Sequence, residues 1–217
     1  MITLYHCFAA RSFRPLWMLE EMGNVPYELK MLPFPPRMFA KEYLGNNPLG
    51  TIPFMIDGET RMSESSGICH YLGIRHGPTP LMVSPDEPAY GAFLSWMYFS
   101  DATLTFPQTL VLRYTRLEPE ERRNPQVAGD YAKWFLGRLR VVEAATGQSE
   151  FLCADRFTAA DVVIAYALRL AERIGLGKDI GPNASAYWQR MQQRDGYRLA
   201  VAAETRASEE QKVPVRT

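Results

Sequence analysis

The chain has 217 residues, 47% of them apolar and 22% charged, and its 24 basic and 24 acidic side chains give a formal net charge of zero. That length can bury one large core or two modest ones, and the composition is ordinary for a soluble globular protein. Without a basic stripe or a run of like charge, neither nucleic acid nor an anionic membrane is expected as the main partner.

Residues 2–6, ITLYH, read as a short buried strand. From Ser12 to Met22 the apolar residues Phe13, Leu16, Trp17 and Leu19 recur at helical spacing, with Gly23 as the stop. YELKMLP (27–33) predicts a second strand, ended by the prolines at 33–36. PFMIDGETRMS holds two short β runs around Asp57-Gly58, a hairpin signal because glycine accepts positive φ cheaply. ESSGICHYLGIRHG reads as a helix with Ile68, Tyr71 and Leu72 inward. The order β-α-β, then β-β-α, predicts a small α/β domain over residues 1–76.

GPTPLMVSPDEP (77–88) is proline-rich and aperiodic, and reads as a linker. Residues 89–217 are mostly helical in pattern and form the second predicted domain. DEPAYGAFLSWMYFSDATLTF opens it as a helix bent near Pro107. NPQVAGDYAKWFLGRLRVVEAATG is the next helix, and the strongly apolar FTAADVVIAYALRLAERIG suits a domain centre. Two more are predicted, from Ser185 to Gln193 and from Gly196 to about Ser208, before a frayed polar tail, EEQKVPVRT. Thr158 and Asp161 form a capping box for the central helix, a folding feature worth ~1 kcal/mol. Three cysteines (Cys7, Cys69, Cys153) are too few for a disulfide framework, and the start MITLYH lacks the marks of a signal peptide. Both fit a reducing cytoplasm. No apolar run approaches the roughly 20 residues that span a bilayer.

Four stretches, LYH…ARSFRPLWMLEE, NPLGTIPFMIDG, MSESSGICHYL and RFTAADVVIAY, stand in an order and spacing that resembles the cytosolic glutathione transferase family, of a bacterial type. The resemblance covers essentially the whole chain. It implies a thioredoxin-like N-terminal domain (α/β) followed by an all-helical C-terminal domain. It also implies a cytoplasmic homodimeric detoxification enzyme, with glutathione as co-substrate and no metal, that attacks apolar electrophiles by conjugation or by displacing a leaving group. By the same resemblance Pro53 is cis, and the backbone of Ile52 pairs with the tripeptide's cysteinyl unit like an added strand. Taken alone, Pro53 reads as an ordinary strand-opening proline.

Glu64 and Ser65 open a helix, where such residues commonly cap free N–H groups. In the family this pair binds the γ-glutamyl end: the carboxylate takes the ammonium, and the serine takes the carboxylate together with free N–H groups. Relatives place a basic residue in or just after NPxG to meet the glycine carboxylate, where this chain has Gly50 and Thr51. Lys41 or Arg37 is the available substitute, and Lys41 is the choice, with solvated surface charge as the alternative for each.

The chemistry requires a thiolate. A free thiol of pKa about 8.5 is only about 3% ionised at pH 7, and lowering it two units gains roughly twenty-fold in nucleophile. A helix N-terminus, a hydroxyl and a guanidinium can supply the shift, and ARSFR carries all three. Against the family's activating residues, the serine aligns with Ala10, the beta-type cysteine with Arg11 and the omega-type cysteine with Ala9. Cys7 matches neither cysteine and reads as buried and inert. Tyr5 and His6 read as packed strand residues. Ser12, backed by Arg11, is therefore the expected sulfur ligand, its other role being a helix N-cap. Tyr98, Phe106 and Arg113 are expected to line the electrophile cleft, the arginine polarising a substrate oxygen or halide. Two other functions fit the same residues: a glutathione-dependent thiol oxidoreductase using Cys7, and a non-catalytic binding module.

Overall fold

Strand β1 (Ile2–His6) lies inside a four-stranded mixed sheet in the computed structural model, which describes residues 1–214. Strand β2 (Tyr27–Met31) runs parallel to β1, with Ile2 opposite Tyr27, and α1 (Phe13–Met22) makes the crossover that a parallel pair requires. Gly23 ends α1 at φ +69°, its N–H on Leu19 O. A short helix α2 (Pro36–Phe39) and a 3-10 turn, Lys41–Gly45, lead to β3 (Phe54–Asp57). Strand β3 is antiparallel to β1, with Tyr5 opposite Phe54. It turns through Gly58 (φ +57°) into β4 (Thr60–Met62), which puts Met62 opposite Met55. The sheet order is β2-β1-β3-β4.

This register gathers three points of the chain at one end of the sheet: the exit from β1, the entry to β3 and the exit from β4. Arg11 and Ser12 follow the first point, Ile52 and Pro53 precede the second, and Glu64 and Ser65 follow the third. Residues far apart in sequence thus share one rim.

Side chains alternate along β1. Ile2, Leu4 and His6 are buried on one face. On the other, Tyr5 joins Tyr43, Phe54, Ala40 and Ile52, with its ring centroid 5.2 Å from that of Tyr43. Helix α3 (Ser65–Arg75) packs on α1 through the buried side chains of Ile68, Cys69 and Leu72. Tyr71, expected inward, is only partly buried, because its hydroxyl donates to Asp57 Oδ2 at 3.0 Å.

The chain divides into two compact units, Met1–Met82 with Gln192 onward, and Val83–Met191. In the second unit the helix expected to bend near Pro107 is α4 (Tyr90–Phe99), a π-helical stretch over Ser100–Thr105, and α5 (Phe106–Leu112). Pro107 has no N–H to give, and the wide turn before it lets the Phe106 N–H reach Asp101 O. A second π stretch, Arg113–Leu117, follows. Helix α6 (Pro125–Thr146) starts with Asn124 accepting from the Val127 N–H at 3.1 Å. Helix α7 (Ala159–Arg173) is buried almost throughout and carries the capping box: Ala160 N–H donates to Thr158 Oγ1, and Thr158 N–H donates to Asp161 Oδ2 at 2.9 Å. Helix α8 is Pro182–Gln192.

The last helix, α9 (Asp195–Glu210), reads from the sequence as part of the helical domain, yet it packs on α1 and β2. Arg194 makes a two-pronged contact with Glu21 at 2.8 Å per bond, and Tyr197 meets Phe13 and Trp17 edge-on. Gln211 binds the edge strand, accepting from Met31 N–H (2.9 Å) and donating to Leu29 O (2.8 Å). The tail expected to fray is therefore held as far as Val213, whose carbonyl accepts from Ser208 Oγ at 2.8 Å, while residues 215–217 of that tail lie outside the described residues. No helix among the described residues is long and apolar enough to cross a membrane.

Candidate functional site

The NPLGTIP turn is held by its own side chains. Asn47 is buried and donates through Nδ2 to Thr51 O (2.8 Å), while its Oδ1 accepts from Leu49 N–H (3.2 Å). The Tyr43 hydroxyl donates to the same Thr51 carbonyl at 2.7 Å. Gly50 sits at φ +58°, and a Cβ there would lie 2.7 Å from Arg37 Cβ and 2.9 Å from Leu44 Cδ2, so only glycine fits. Gly50→Ala is expected to destabilise the chain by about 1–3 kcal/mol, read as a drop in melting temperature.

This turn delivers Ile52 and Pro53 to the rim, and the bond between them is cis. Neither the N–H nor the C=O of Ile52 is hydrogen-bonded among the described residues. An extended ligand backbone can pair with both.

At the start of α3, Glu64 has extended backbone and an exposed side chain that makes no cap bond. Its carboxylate is therefore available to an ammonium group. Ser65 is buried, and its Oγ accepts from Arg14 Nη1 at 3.0 Å. A guanidinium only donates, so the serine O–H must find its acceptor elsewhere. Arg14 is itself fully buried, which sets a cation beneath a helix N-terminus that already favours anions. Sequence reasoning missed Arg14. The signal was its place on the inward stripe of α1, three and four residues before buried Trp17 and Met18.

The start of α1 departs from expectation. Ser12 is fully buried, with helical backbone (φ −62°, ψ −11°) and no cap bond. Its Oγ accepts from Cys7 N–H at 3.2 Å and lies 3.5 Å from Cys7 O. The hydroxyl expected to bond a ligand sulfur thus braces the loop from inside. Arg11 is half-buried beside it. Cys7 is fully buried, and burial pushes its thiol up to about 12. A thiol so held is not a nucleophile near neutral pH. Cys69 and Cys153 are also buried, and neither is in a disulfide. Lys41 and Arg37 are both exposed, Lys41 opening the 3-10 turn and Arg37 lying against Gly50.

In the second unit Tyr98 is exposed on α4, and Phe106 meets Tyr131 edge-on at 6.3 Å. Tyr131 stacks on Trp134, over which Arg138 lies at 4.5 Å. Arg113 Nε donates to Glu118 Oε1 at 2.6 Å, so the cation expected to polarise a substrate is already paired. No hydrogen bond or ring contact joins Tyr98, Phe106 and Arg113.

A thioredoxin-like sheet whose rim carries a cis-proline turn and two helix N-termini, followed by a helical unit, defines a fold shared by many known chains. The family model for the glutathione S-transferase N-terminal domain matches residues 9–74, and that for the C-terminal domain matches residues 112–195. Glutathione S-transferase 3 of Schizosaccharomyces pombe is 27% identical over 212 residues, covering 93% of this chain and 87% of that protein. Glutathione S-transferase GstA of Escherichia coli O157:H7 is 26% identical over 164 residues, covering 75% and 78%. Among solved structures, the glutathione transferase URE2P8 of Phanerochaete chrysosporium, crystallised with oxidised glutathione, superposes with a TM-score of 0.83 at 18% identity over 96% of each chain. A glutathione transferase of Methylococcus capsulatus does so with a TM-score of 0.83 at 22% identity, over 94% of this chain and 99% of the other. The chain belongs to the glutathione S-transferase family.

Proposed function

We propose that the chain is a glutathione transferase that presents the glutathione thiolate to an apolar electrophile. The observation that carries this reading is the unpaired N–H and C=O of Ile52, set on the same rim as the uncapped carboxylate of Glu64 and the Arg14-backed hydroxyl of Ser65. A tripeptide with an ammonium and a carboxylate at one end and an amide backbone in its middle matches these groups in kind. Glu64 takes the ammonium. Ser65 and the first N–H groups of α3 take the γ-glutamyl carboxylate, Ile52 takes the cysteinyl backbone, and Lys41 meets the glycine carboxylate.

The sulfur then faces the amino end of α1. There Arg11 and the helix dipole favour the anion, while Ser12 holds the loop that carries them. The thiol proton passes to solvent, the sulfur forms a bond to the electrophilic carbon, and a leaving group departs with its electron pair. Residues 1–76 thus bind glutathione, residues 77–88 connect, and the helical part from 89 supplies the electrophile surface, with Tyr98 and Phe106 as its aromatic groups. A cytoplasmic homodimer acting in detoxification completes the reading.

Turnover of a chlorinated nitroarene with glutathione tests it: a glutathione-dependent rate supports the reading, and absence of both turnover and retention on immobilised glutathione defeats it. The oxidoreductase alternative requires a reactive Cys7, and burial of that thiol favours the transferase. Accordingly, Cys7→Ala is expected to keep turnover within about twofold, whereas Arg11→Ala lowers it roughly tenfold. Steady-state kinetics on the two variants would reveal the reverse order if Cys7 were the active group.

A further inference from the structure

Glu204, on α9, is fully buried, yet it reaches the loop that joins β1 to α1. Its Oε2 accepts from the Ala9 N–H at 2.9 Å and pairs with His6 Nε2 at 3.1 Å. His6 is the last residue of β1 and is likewise fully buried. Ala9 has φ +55°, in the left-handed region that a residue with a Cβ rarely adopts. The bond to Glu204 holds the amide of that very residue. Ser12 ties the other side of the loop to Cys7, so residues 6–12 are braced from within by Ser12 and from α9 by Glu204. Arg11 and the amino end of α1 are what this loop delivers. A carboxylate is costly to bury without partners, so the contact is a specific one and not filler.

We propose that Glu204 is a positioning residue for thiol activation. By fastening His6 and the left-handed Ala9, it fixes the β1–α1 loop so that the amino end of α1 and Arg11 face the glutathione sulfur. The proposal rests on the binding mode described under Proposed function. It makes the last helix, 195 residues from the loop it holds, a part of the catalytic apparatus.

The test compares the wild-type chain with Glu204→Ala, Glu204→Gln and the double variant Ala9→Gly/Glu204→Ala. Three quantities are read on folded protein: the pH at which bound glutathione develops its ultraviolet thiolate band, glutathione affinity by calorimetry, and kcat against KM. Glu204→Ala is expected to move the thiolate transition upward by about one pH unit, which is a tenfold loss of anion. It should lower kcat/KM by about 10²-fold while glutathione affinity stays within about threefold, as for a misplacement near 1 Å. Glu204→Gln retains an acceptor for the Ala9 N–H and should recover most of the loss. The double variant should recover part of it, because glycine takes the left-handed conformation unaided. Should Glu204→Ala fail to fold, Glu204→Asp, which withdraws the oxygen by one methylene, carries the same expectation. An unmoved thiolate transition in every folded variant, with only the melting temperature lowered, overturns the proposal alone. Absence of a thiolate band in the wild-type chain overturns the binding mode and this proposal with it.

Discussion

Replacing Glu64 by glutamine lowers the affinity for glutathione about 30-fold and leaves the melting temperature where it was. The magnitude is that of one charge-assisted hydrogen bond, about 2 kcal/mol, with each 1.4 kcal/mol worth about tenfold. The unchanged stability follows from the fold: the Glu64 side chain is exposed and caps nothing. Ser65→Ala gives the contrasting pattern. It also weakens binding, but it removes the acceptor that Ser65 Oγ offers to buried Arg14, so stability falls as well. Isothermal calorimetry with thermal melts on both variants separates the two roles. Equal stability losses would mean that Glu64 has a folding role its geometry does not suggest.

The largest effect on stability is expected at Asp161. Its carboxylate is fully buried and accepts from Thr158 N–H (2.9 Å), Leu152 N–H (3.1 Å) and the Tyr187 hydroxyl (2.9 Å). Asp161→Ala removes the acceptor of four buried donors, these three and the Thr158 hydroxyl (3.3 Å), at a cost of about 3–4 kcal/mol in sum. For a chain of this length that is a fall of about 10 °C in melting temperature.

The pH dependence has a definite sign. Burial raises the Asp161 carboxyl to about 6, above its ordinary 3.8, although its hydrogen bonds pull the other way. Between those values the folded chain holds a proton that the unfolded chain has released. Stability from this group is therefore greatest in acid and declines as pH rises from about 4 through about 6. Melting temperatures of the wild type and Asp161→Asn, subtracted across that range, isolate the slope. A flat difference would contradict it.

What could be read from the sequence was local. The Asp57-Gly58 hairpin, the glycine stop of α1 and the Thr158–Asp161 capping box each depend on side chains within a few positions of the backbone they control. Ile52, Pro53, Glu64 and Ser65 read from the sequence as residues at element boundaries, and the fold gathers those boundaries on one rim. Buried charges were not legible, since their partners are remote: Arg14 meets Ser65 51 positions away, and Glu204 meets His6 198 positions away. The surroundings of Ser12 were hidden for a related reason: a hydroxyl at a helix start suits a cap or a ligand contact, and only the folded loop shows its Oγ accepting from Cys7 N–H. Tyr197 and Arg194 join the last helix to α1, and Glu204 joins it to the β1–α1 loop, whereas helical periodicity alone does not say which element a helix packs against.

Binding of glutathione to the wild-type chain, followed near pH 7 by calorimetry and by ultraviolet difference absorption in one titration, decides whether the tripeptide settles on this rim with its sulfur ionised. A saturable heat accompanied by a thiolate band is the predicted result, since a free thiol of pKa about 8.5 stays mostly neutral there. No heat at millimolar glutathione, or a bound sulfur that absorbs as a neutral thiol, would contradict it.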